Sequence, residues 1–123
     1  MSKQWVETVL NHLSGIGRTD QNGSNRLAFT DEDMAAREYF KGLMRDAGLS
    51  VREDAFGNII GRMEGSDSSL PAVATGSHID TVPNGGHFDG MAGSAAFLPA
   101  LKRIHERGMS RLPPAPIIFQ MEH

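Results

Sequence analysis

The sequence contains no cysteine, which rules out disulfides and thiolate metal sites and is compatible with a reducing compartment. It also lacks any apolar run near the roughly 20 residues needed to cross a bilayer. Its start, "MSKQWVETVLNHL", intersperses polar residues through the apolar pattern and has no signal-peptide core. A cytoplasmic protein without a membrane partner is therefore expected. A strong charge imbalance is missing too: the net charge is −3 and the Lys and Arg residues are scattered, so no nucleic-acid partner is expected. What remains is ordinary for a globular chain, with 39% hydrophobic and 22% charged residues. At 123 residues it forms one domain at most, long enough to bury about two-thirds of its unfolded surface.

Trp5, Val6, Val9, Leu10 and Leu13 fall on one helical stripe. "SGIGRTDQNGSNR" reads as a polar, glycine-bearing loop. In "TDEDMAAREYFKGLMRDAG", Thr30 suits an N-cap, the acidic first turn suits the helix dipole, and Gly48 suits the position past the C-cap. Ala36, Phe40, Leu43, Met44 and Ala47 should form the buried face. "LSVRED" and "NIIGRMEG" read as strands joined by the turn "AFGN", and "PAVATGS" as a short apolar strand. "MAGSAAFLPALKRIHERG" reads as a helix despite Pro99, and "APIIFQM" as a last strand. This order predicts an α/β three-layer domain with a mixed, partly parallel sheet.

Chemistry concentrates in "GSHIDTVPNGGHFDGMAG", residues 76 to 93, directly after a predicted strand. Ligands of open α/β sheets bind outside the carboxyl ends of strands. In an extended segment His78 and Asp80 point to the same side. The aspartate can then take the spare imidazole N–H and leave the other nitrogen for a metal. Asp89 follows the "PNGGHF" turn, which can fold back toward His78. A His/Asp site without thiolates suits Zn²⁺, Mn²⁺ or Co²⁺. Glu122, after the last strand, would emerge at the same edge and could act as a general base. On spacing alone, His–x–Asp reads more readily as a turn hydrogen-bond pair, and "PNGG" is ordinary turn chemistry. His87 reads as solvated, and His12 and His105 as surface residues.

Taken together, "GSHIDTVPNGGHFDGMAG" resembles the first metal-binding motif of the M20 metallopeptidase superfamily, in its hydantoinase/carbamoylase branch. "NRLAFTDEDMAAREYFKGLMRDAGLSVREDAFGNIIGRMEG" resembles that branch's N-terminal segment, including "D-x-x-G-N" before a strand. The resemblance implies a zinc-peptidase-like catalytic domain of which residues 1–123 are the N-terminal portion. It further implies two divalent ions, Zn, Mn or Co, with His78 ligating one, Asp89 bridging both, and Asp80 orienting His78. Glu122 would be the general acid/base. His123 would stand where the branch has a metal-ligating glutamate, an imidazole in place of a carboxylate.

The implied activity is metal-assisted hydrolysis of a carbamoyl or ureido C–N bond in a small molecule, as in N-carbamoyl-L-amino-acid hydrolases and allantoate amidohydrolases. The branch's later metal-binding histidines and its dimerisation domain have no counterpart in this sequence. The chain is therefore expected to be inactive alone and, with an unpaired sheet edge, to self-associate. The alternative is a non-catalytic binding or assembly module, or one half of a split enzyme.

Overall fold

A computed structural model describes residues 3–106 and 116–121. Three helices, α1 (Lys3–Gly15), α2 (Asp31–Asp46) and α3 (Met91–Glu106), accompany four strands, β1 (Ser50–Glu53), β2 (Ile59–Met63), β3 (Val73–Ser77) and β4 (Ile117–Met121). The sheet order is β1-β2-β4-β3. β1 and β4 run antiparallel to β2, and β3 runs parallel to β4. α3 is thus the crossover of a β-α-β unit, as parallel neighbours require.

Local chemistry explains where α2 starts and stops. The Thr30 hydroxyl accepts from the Asp33 N–H, and Asp31, Glu32 and Asp33 occupy the positive end of the helix dipole. At the other end, Gly48 takes a left-handed φ of 90°. Its N–H bonds Arg45 O at 2.9 Å and the Leu49 N–H bonds Met44 O at 3.1 Å. That pair of bonds is a Schellman cap, and Leu49 and Met44 meet over Gly61 of β2. The turn between β1 and β2 is held by Asp54, whose carboxylate accepts from the Phe56 and Asn58 N–H groups and the Asn58 amide. Those bonds, above all from Asn58, hold the Asp54 carboxyl below its ordinary pKa. They supply a physical reason for the aspartate and asparagine of "DAFGN".

One core joins the layers: Val9 and Leu13 of α1, Ala36, Phe40 and Met44 of α2, Met91, Ala95, Leu98 and Leu101 of α3, and Ile59 and Met63 of β2. α3 continues through Pro99 as one helix. The alternation of β2 turns Ile59, Gly61 and Met63 toward this core. Ile60 and Arg62 share the opposite face with Ser50 and Arg52 of β1 by register. The α/β class and the mixed sheet agree with the sequence reading. All three helices gather on one sheet face, so the second helical layer of a three-layer domain is not among the described residues. No described helix is long and apolar enough to cross a membrane.

Candidate functional site

β3 and β4 end together, Ser77 standing in register with Met121. His78 is the first residue past β3. From Ser77 the chain runs out, turns through "PNGG", and returns to start α3 at Met91. Ser77 Oγ donates to Gly90 O at 2.7 Å, and Ser94 Oγ to His78 O at 3.4 Å, so the end of β3 is stitched to the start of α3. The contact is close because of Gly90. A Cβ there would lie 2.5 Å from Cε1, Nδ1 and O of His78, and its φ of +71° suits glycine.

This packing brings the expected residues together. His78 Nδ1 donates to the Asp80 carbonyl at 3.0 Å; a carbonyl can only accept, so Nδ1 carries the proton and Nε2 presents a lone pair. Nε2 faces Asp89 Oδ2 at 3.9 Å. Asp80 Oδ1 lies 3.5 Å from Nδ1 and is buried without a hydrogen-bond partner. The orientation of His78 therefore rests first on the Asp80 main chain, with the carboxylate behind it. Asp89 is largely exposed and sits just before the N-terminus of α3, where a negative charge is favoured.

A metal shared by two such ligands would hold them roughly 3–3.5 Å apart, given bond lengths near 2.0–2.2 Å. The pair needs only a small rotation of the Asp89 side chain, so the donors fit a divalent cation. Among the described residues no group of three or more His, Cys, Asp or Glu could hold one. Glu122 and His123 lie outside the described residues.

The sequence reading missed the foundation of this site. The loop between α1 and α2 forms the bed on which residues 78–90 lie. Ser24 and Gly85 exchange both main-chain bonds, at 2.9 and 2.8 Å. Asn25 Oδ1 accepts from the Asn84 N–H, and Thr19 Oγ1 donates to Asn84 Oδ1. Thr81, between Arg26 and Ser24, bonds both. His87, expected to be solvated, is half-buried and lies 3.2 Å from Ser24 Oγ through Nδ1. Arg26 is fully buried beneath the site. Desolvation lowers its pKa, while Asp33 and Asp80 pull it back up. Only the family resemblance of the segment that begins "NRLAFT" hinted at this. His12, expected at the surface, is exposed but stacks on Tyr39 at 3.9 Å.

No family model matches the chain. It is 49% identical over 103 residues to the ureidoglycolate hydrolase of Oryza sativa subsp. japonica, covering 84% of this chain and 21% of that protein. It is 51% identical over 110 residues to the N-carbamoyl-L-amino-acid amidohydrolase of Paenarthrobacter aurescens, covering 88% and 27%. The crystal structure of a hydantoinase/carbamoylase family amidase from Burkholderia ambifaria superposes with a TM-score of 0.90 at 35% identity, over 98% of this chain and 29% of that one. The chain thus spans about a quarter of the length of the relatives it matches.

Proposed function

We propose, for a chain that belongs to the hydantoinase/carbamoylase family of amidases, that it forms the N-terminal part of a metal-dependent amidohydrolase domain. The reaction is hydrolysis of a carbamoyl or ureido C–N bond, with N-carbamoyl amino acids or ureido acids such as allantoate or ureidoglycolate as the substrate class. The observation that supports this most directly is the His78 Nε2 lone pair held opposite the Asp89 carboxylate at the carboxyl end of β3. In this reading His78 and Asp89 hold divalent metal, Zn, Mn or Co, and His123 adds a further nitrogen. Bound metal supplies Lewis acidity for the carbonyl and for water. Asp80 would keep the His78 tautomer, Asp89 would serve as a carboxylate ligand, and Glu122 would act as the general base and acid that moves the proton to the leaving nitrogen.

Calorimetric titration of the wild type with Zn²⁺ and Mn²⁺ tests the ligand assignment. Modest affinity is expected, weakening as pH falls because a protonated imidazole has no lone pair to give. His78→Ala and Asp89→Ala should lose the binding, while His12→Ala, on α1, should keep it. Equal binding by all four proteins would remove His78 and Asp89 from the site. The chain alone should not hydrolyse N-carbamoyl amino acids or allantoate faster than metal in buffer, because such sites need a complete, pre-organised set of ligands. Metal-dependent turnover lost on Glu122→Ala would overturn that expectation. Turnover that arises only on mixing with a complementing chain would favour one half of a split enzyme.

A further inference from the structure

Arg26 spends its guanidinium on main-chain carbonyls from two parts of the fold. Nε donates to Ile79 O at 2.7 Å, and Nη1 donates to Leu13 O at 2.7 Å and Ile16 O at 2.8 Å. Nη2 packs against Met91 Sδ, at the first turn of α3. Its own backbone pairs with Thr81: the Thr81 N–H donates to Arg26 O at 2.7 Å, and the Arg26 N–H to Thr81 Oγ1 at 2.8 Å. Leu13 lies in the last turn of α1, where carbonyls lack helical partners and the dipole favours a cation. One residue therefore ties the end of α1, the start of α3, and both neighbours of Asp80: Ile79 through its guanidinium and Thr81 through its main chain.

We propose that Arg26 is a positioning residue for the site: by fixing residues 79 and 81 it sets the Asp80 carbonyl that selects the His78 tautomer. This rests on reading His78 and Asp80 as site residues, but not on a metal being bound. Arg26 touches neither of the reacting groups; it acts through the main chain. A planar fork can hold carbonyls of separate elements at fixed angles, whereas a lysine ammonium is a compact charge that cannot hold the same set.

The test is ¹⁵N spectroscopy of the histidine rings in the metal-free full chain near neutral pH. Wild-type His78 should show the Nδ1–H form. Arg26→Lys, with its fold checked by circular dichroism, should shift His78 toward the Nε2–H form or an average of the two. His12, stacked on Tyr39 at the α1–α2 contact, should keep its wild-type signals; a general loosening of the core would move both rings. If Arg26→Lys does not fold, Thr81→Val takes its place, because it removes the hydroxyl that accepts from Arg26 and leaves the buried charge paired. Zn²⁺ affinity of the folded variant should fall about 10-fold or more, in the range for groups that orient a ligand. An unchanged His78 signal in a folded variant overturns the proposal, as does a shift shared equally by His12. A His78 shift in a protein that binds no Zn²⁺ even as wild type upholds the positioning role while removing the metal reading.

Discussion

Replacing Gly90 with alanine probes the closest contact in the site. The added Cβ would sit 2.5 Å from Cε1, Nδ1 and O of His78, whereas ordinary contacts begin near 3.4 Å. The ring could swing away, but the carbonyl is main chain and accepts from Ser94. Something close to an ångström of backbone movement must follow. Overpacking of this kind costs about 1–3 kcal/mol, and alanine at φ +71° adds about 1–2 kcal/mol of left-handed strain. A loss of roughly 2–5 kcal/mol is expected, or a melting temperature lower by about 8–20 °C at roughly 4 °C per kcal/mol. Gly86→Ala is the matched control: it lies in the same loop, and a Cβ there meets nothing within 4 Å. Urea unfolding of both variants should leave Gly86→Ala within about 0.5 kcal/mol of wild type. If both variants unfold at the same urea concentration, the close approach of Gly90 to His78 is not what holds the strand end to α3.

Two further outcomes follow from other parts of the molecule. Glu53 accepts from Lys41 at 2.7 Å and from Arg37 at 2.9 Å. The Lys41 bond most of all, and the Arg37 bond after it, outweigh desolvation and hold its carboxyl below the ordinary 4.5. A depressed carboxylate contributes stability that is full above its unfolded pKa and is lost as pH falls through the folded one. Acid titration of wild type should therefore show a stability loss below about pH 4.5 that Glu53→Gln lacks; parallel curves would count against it. Separately, β3 forms one edge of the sheet, with Val73 62% exposed. Val73→Lys should reduce self-association in sedimentation velocity, since a charge on an edge strand opposes pairing. A wild type that is monomeric at every concentration would remove the edge from consideration.

Periodicity made α1 and α2 legible, because each buries one face, whereas the strands were legible as short apolar or alternating runs bounded by turn residues. Thr30 and Gly48 marked the ends of α2 through side-chain and backbone chemistry that is local to those residues. His78, Asp80 and Asp89 were legible for a different reason: the turn "PNGG" had to reverse the chain, and a reversal there can only bring Asp89 back toward the strand end. The loop of residues 16–26 was not legible. Most of its bonds to residues 79–87 use a Thr, Ser, Asn, His or Arg side chain, but the partners lie more than 50 residues apart in sequence, so local spacing does not announce them. Arg26 illustrates the limit. A single arginine in a polar loop carries no sign of its own burial, which is accounted for by three carbonyl acceptors elsewhere in the fold.

The two halves of the candidate site differ in how they are held, and that difference separates binding from folding. His78 is held on one flank, though its side chain is 38% exposed: Asp80 and its carbonyl lie at Nδ1, the Gly90 backbone lies against the ring, and Ser94 bonds its carbonyl. Asp89 has a side chain 75% exposed and touches the site only through the 3.9 Å approach to Nε2. Removing the Asp89 carboxylate therefore takes little packing with it, and stability should barely change. Removing the His78 ring empties a space that Gly90 was selected to leave open, and disturbs the seam between β3 and α3. The imidazole is held by its neighbours while the exposed carboxylate is not, so substitutions at His78 should cost stability and substitutions at Asp89 should leave it nearly unchanged.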